Sequence, residues 1–171
     1  MKIVGLLRHA KSSRDDPYLA DIDRPLTPRG VSAAELMGAE FRKRDAAFDL
    51  VLASPARRVI DTVRSFEKGY GKPLEPAYEP VLYENSAATL LNMLVDIGDV
   101  ADRILLVGHN PSLQNLGTML ANSEDPLHSQ LADHFPTAAA VLVALPIDHW
   151  SDLGTGSGRI DWLLKPSDLD H

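Results

Sequence analysis

Two stretches of the chain, Lys2 to Leu7 and Arg103 to Val107, are aliphatic runs without polar alternation, and a histidine follows each at the same distance: Leu7-Arg8-His9 and Val107-Gly108-His109. Runs of this kind suit strands buried on both faces, as in a parallel sheet covered by helices. Both strands therefore end by delivering a histidine to one edge of a sheet.

The segments between them alternate in period. Thr27-Pro28 is a helix start, with threonine as N-cap and proline at the first helical position, and Val31, Ala34, Met37 and Phe41 follow at helical spacing to about Arg44. Asp49 to Ala53 is a second short strand. Ser54-Pro55 opens a further helix through Val59, Thr62, Val63 and Phe66, which ends near Gly69 and Gly71. A proline-punctuated connection leads to a third apolar segment, Val81-Leu82-Tyr83-Glu84, and helices are predicted over Ala87–Ile97 and Ser112–Leu120. Ala138–Leu145 and Arg159–Leu164 read as strands joined by a Gly/Ser-rich turn, suited to an antiparallel edge. Ala10 to Pro25 has neither period and reads as a long polar loop. The expected fold is α/β, a single domain over residues 1–171 with a mostly parallel central sheet flanked by helices.

Composition narrows the chemistry. The chain of 171 residues has no cysteine, which removes disulfides, thiolate metal sites and cysteine nucleophiles. Its formal net charge of −7 disfavours broad attachment to nucleic acid or anionic lipid, so any bound anion must meet a local cluster. The N-terminal apolar run stops at Arg8-His9, too short for a signal peptide or a membrane span, and a cytoplasmic protein is expected.

Ligands of open α/β sheets bind beyond the carboxyl ends of the strands, which gives priority to Arg8-His9, Ser54 to Arg58, Glu84 and His109. Each has a plain structural reading alone: a strand end entering solvent, a capped helix start with two solvated arginines, a surface carboxylate, a histidine satisfied in a turn. Together they suit phosphoryl transfer. Arginine forks match phosphate oxygens, histidine can act as nucleophile, and a carboxylic acid can protonate a leaving group. The competing metal reading takes His9, His109 and Glu84 as ligands, against which stand the adjacent arginines and the lack of His-x-His spacing.

Leu7-Arg8-His9-Ala10, Arg24-Pro25-Leu26-Thr27-Pro28-Arg29-Gly30, Ser54-Pro55-Ala56-Arg57-Arg58 with Thr62, and Val107-Gly108-His109-Asn110-Pro111 resemble, in order, the motifs of the histidine phosphatase (phosphoglycerate mutase-like) superfamily. The short length and the ending Phe135-Pro136-Thr137-Ala138-Ala139 through Trp162 to Pro166 look most like SixA-type phosphohistidine phosphatases. The resemblance implies His9 as the phosphorylated nucleophile, a phosphate pocket of Arg8, Arg58 and His109, and Glu84 as acid through a local Leu-x-Glu match. It implies neither metal nor cofactor. Alanine stands at position 10 where the family signature has glycine, which requires a backbone there without positive φ. Expected partners are a protein carrying phosphohistidine or a small phosphorylated metabolite, with neither nucleic acid nor membrane. A small-molecule phosphomonoesterase and a non-catalytic phospho-ligand binding module are the alternatives.

Overall fold

The computed structural model describes residues 1–169. Strands β1 (Lys2–Arg8), β2 (Leu50–Ala53), β3 (Ala77–Tyr78), β4 (Arg103–Gly108), β5 (Ala140–Leu145) and β6 (Arg159–Leu164) form one sheet in the order β3-β2-β4-β1-β5-β6. The β3-β2, β2-β4 and β4-β1 pairs are parallel. The β1-β5 and β5-β6 pairs are antiparallel, the second as the Gly/Ser-rich turn leads one to expect.

Both aliphatic strands are covered on both sides. Val4 and Leu6 of β1 and Ile104 and Leu106 of β4 pack in one cluster with Leu113, Leu116 and Leu120 of α4 (Ser112–Leu120) and Leu90 and Leu94 of α3 (Ala87–Val95). Leu7, Leu105 and Val107 point the other way. They meet Met37 and Phe41 of α1 (Pro28–Lys43) and Val59, Val63 and Phe66 of α2 (Arg57–Tyr70). Two short helices, α5 (His128–Asp133) and α6 (Pro166–Leu169), complete the covering.

The helix starts follow local chemistry. Thr27 Oγ1 accepts from Gly30 N at 3.0 Å and Pro28 occupies the first turn of α1, where its missing N–H costs nothing. α2 starts later than Ser54: the cap is Ala56, and Ser54 Oγ instead accepts from Ala56 N at 3.2 Å. The third apolar segment departs from expectation. Pro80–Leu82 is a 3-10 turn, and the third strand lies upstream at Ala77–Tyr78. Pro80 has no N–H to give a ladder, so β3 stops before it and Glu84 leaves a turn rather than a strand. The polar loop contains another single 3-10 turn, Asp21–Asp23.

The helix after β1 lies on one face of the sheet and the helix after β4 on the other, although β1 and β4 are neighbours. A crevice therefore opens at the carboxyl ends of these two strands.

Candidate active site

Register alone brings the two histidines together. Arg8 pairs with Gly108, and His9 N donates to Gly108 O at 2.9 Å, so both chains leave the sheet side by side with ring centroids 5.2 Å apart. Both residues are buried. β2 contributes the next group: Ser54 N donates to Val107 O, and Ser54 Oγ lies 2.8 Å from His109 Nε2.

His9 Nδ1 lies 2.7 Å from Ala10 O. A carbonyl oxygen only accepts, so Nδ1 carries the proton and Nε2 keeps its lone pair. Burial pushes the His9 imidazole down to about 4; the Ala10 hydrogen bond opposes this, and the charges of Arg58, Arg8 and Arg24 reinforce it. Burial also takes His109 down to about 3, with further lowering from His9 and Arg58. Both rings are neutral near pH 7.

Each arginine is held from its outer side. Arg8 Nη1 donates to Phe135 O at 3.1 Å; Arg58 Nη1 donates to Asp21 O at 2.8 Å and Nη2 to Asp21 Oδ2 at 3.1 Å. Arg8 Nε and Arg58 Nε are, among the described residues, buried side-chain donors with no partner. An unpaired buried N–H is costly, and a guanidinium fork with a free Nε is suited to an oxyanion. Thr62 ties the two sides of the site, since its Oγ1 donates to Arg58 O at 2.7 Å and accepts from Ala10 N at 2.9 Å.

Arg8, His9, Arg58, His109 and Glu84 all line one cleft of about 320 Å³. Glu84 is at an exposed position of the lining, and His9, His109 and Glu84 do not come together as a three-ligand metal group among the described residues. Arg57, adjacent in sequence to Arg58, turns away and pairs with Asp61 Oδ1 at 2.9 Å. Ala10 is fully buried without positive φ, beside Ala34 and Ala138. Of these three alanines Ala138 is the left-handed one (φ 62°), and its N–H donates to His9 O at 2.9 Å.

Sequence reasoning did not single out Asp21 or Tyr83. Asp21 Oδ2 accepts from Tyr83 OH at 2.7 Å as well as from Arg58, and Oδ1 accepts from Arg24 Nε at 3.1 Å. The Tyr83 hydrogen bond, followed by the two arginines, holds this carboxyl down at about 2. The Asp21/Arg24 spacing of three residues was the sole local signal; Tyr83 and Arg58 reach Asp21 only through the fold.

The model of the histidine phosphatase superfamily, branch 1, matches residues 4–94. An uncharacterized protein of Mycobacterium tuberculosis is 33% identical over 157 residues, 90% of this chain and 96% of the relative. A solved structure provisionally named as the phosphohistidine phosphatase SixA of Agrobacterium tumefaciens superposes with a TM-score of 0.79 at 28% identity, covering 96% of this chain and 98% of that one. The protein histidine phosphatase SixA complexed with tungstate shares the fold, with a TM-score of 0.80 at 23% identity over 98% and 99% of the two chains.

Proposed function

The chain belongs to the histidine phosphatase superfamily and is a phosphatase, and from that premise we propose that it hydrolyses phosphohistidine on a protein partner through a phosphorylated His9. The carrying observation is the state of His9: neutral, its Nδ1–H committed to Ala10 O, its ring beside two arginines whose Nε donors have no protein partner.

In the first step His9 Nε2 attacks phosphorus in line, a P–N bond forms, and the bond to the leaving nitrogen breaks as that nitrogen takes up a proton from solvent water. Arg8, Arg58 and His109 stabilise the charge on the equatorial oxygens, where the transition state carries it. In the second step water attacks phosphorus, the bond to His9 breaks, and inorganic phosphate leaves while His9 returns to its neutral form. Arginines neutralise the phosphate throughout, so the reaction needs no metal.

The test is rapid-quench labelling with a phosphohistidine protein in EDTA. We expect an acid-labile phosphoenzyme that His9→Ala abolishes. Label retained in that variant, or activity lost in EDTA and restored by zinc or manganese, would overturn the mechanism.

The Glu84 carboxyl in the cleft lining favours a second reading, a small-molecule phosphomonoesterase. Expelling an alkoxide needs an acid worth ~10²–10⁴-fold, while imidazole departs with less help. Single-turnover rates for an ester and for phosphohistidine separate the two. Glu84→Gln is expected to depress the ester rate far more; equal loss on both substrates would remove Glu84 as the leaving-group acid.

A further inference from the structure

The cleft carries more positive charge than one phosphate uses. Five of its lining residues are cationic: Arg8, Lys11, Arg14, Arg24 and Arg58. Three are engaged by the protein itself. Arg8 donates to Phe135 O, Arg58 is held by Asp21, and Arg24 is tied by Nε to Asp21 Oδ1 and by Nη1 to Ser12 Oγ at 2.9 Å and Ser13 O at 3.3 Å. Lys11 and Arg14 make neither a salt bridge nor a side-chain hydrogen bond among the described residues. Of the carboxylates that share a lining with them, Asp21 already serves two arginines and Tyr83, while Asp16 and Glu84 make no salt bridge to either cation among the described residues.

The backbone beneath Lys11 is firmly placed. Lys11 O accepts from Thr27 N at 2.9 Å and from Thr27 Oγ1 at 3.2 Å, Ser12 bridges Leu26, and Ser13 N donates to Pro25 O at 2.8 Å. This strip lies directly against the first turn of α1. A Cβ at Gly30 would stand 2.3 Å from Lys11 O, so the close approach requires glycine there. In a chain of net charge −7, two cations facing the cleft, Lys11 on this pinned strip and Arg14 just beyond it, form a local attractor for negative charge.

We infer that Lys11 and Arg14 form a second anion subsite, which takes a carboxylate or further phosphate that the substrate carries beside its scissile phosphoryl group. The inference rests on the reading of Arg8, His9, Arg58 and His109 as the phosphate pocket. It makes the enzyme selective for doubly anionic substrates, whether the second anion is part of a small metabolite or an acidic side chain next to a phosphorylated residue.

Non-hydrolysable phosphonates test the subsite separately from turnover. Calorimetric titration compares 3-phosphonopropionate with its amide, which differ by a single carboxylate, on the wild type and on Lys11→Ala/Arg14→Ala. The carboxylate is expected to bind about five- to tenfold more tightly to the wild type at low salt, as two exposed ion contacts allow. In the double variant the preference falls to about unity, while affinity for the amide is retained. A second arm uses peptides with a phosphonate analogue of phosphohistidine flanked by Asp or Asn. A preference in that arm assigns the second anion to a protein, and one confined to the small phosphonates assigns it to a metabolite. No preference in either arm, or a preference that survives the double substitution, overturns the subsite. Failure of the phosphatase reading shows itself independently, as absent turnover of p-nitrophenyl phosphate by the wild type.

Discussion

Arg57 and Arg58 are adjacent on the first turn of α2 and meet opposite surroundings. The Arg57 side chain is 55% exposed and pairs with Asp61 one helical turn on, an arrangement worth ~0.3–0.5 kcal/mol. Arg58 is buried, its outer nitrogens clamped by Asp21 and its Nε left without a partner. Arg58→Ala is therefore expected to cost ~1.5–3 kcal/mol of transition-state stabilisation, roughly 10- to 150-fold in kcat/KM, and Arg57→Ala about threefold or less. Steady-state kinetics on p-nitrophenyl phosphate check this, and equal losses would contradict the geometry. The same environment sets the proton on His9: a carbonyl 2.7 Å from Nδ1 leaves Nε2 as the nitrogen with the free lone pair.

Helices α1 and α2 position the site because their backbones nearly touch. A Cβ on Gly38 of α1 would lie 2.0 Å from Phe66 O, and one on Gly69 of α2 would lie 1.9 Å from Glu35 O, so neither helix accepts alanine there without separating. Gly38→Ala is expected to destabilise the protein by ~1–3 kcal/mol, read as a lower midpoint in urea. Because α2 carries Arg58 and Thr62, kcat/KM should fall in the same variant even where it remains folded. A variant with unchanged midpoint and activity would show that the helix pair tolerates separation. The 3-10 turn at Pro80–Leu82 has a comparable role at shorter range, since it places Tyr83 against Asp21 and against the His109 ring, 5.6 Å between centroids.

At the scale of the whole molecule three histidines shift in opposed directions. His9 and His109 are depressed by burial, whereas exposed His149 is raised by its 2.8 Å contact with Asp99 Oδ2. Between about pH 6.5 and 4 the unfolded chain takes up protons that folded His9 and His109 refuse. Their contribution to stability is thus present above about pH 6.5 and is lost as the pH falls toward about 4 and 3. We expect melting temperatures to decline through that window, and nitrogen NMR to show His9 as the Nδ1–H tautomer with a midpoint near 4 while His149 titrates above 6.5. A His9 midpoint near 6.5 would contradict the buried, arginine-flanked pocket. Among the described residues no helix is long and apolar enough to cross a membrane.

What was legible in the sequence was local. Short apolar runs located β1, β2, β4, β5 and β6, helical spacing located the long helices, and Thr27-Pro28 marked the start of α1, because each depends on neighbours within one turn or one strand. The superfamily read from the ordered motifs is the one whose model matches residues 4–94, and Arg8, His9, Arg58 and His109, named from those motifs, line one cleft. The sequence could not show that β1 and β4 are neighbours, that Ser54 reaches His109, or that Asp21 holds Arg58, Arg24 and Tyr83 together. Those contacts, apart from Arg24, join residues 37 to 100 positions apart. Their formation depends on which strands pair and which faces bury, a choice made by the packing of the whole core and not by any segment's own propensity.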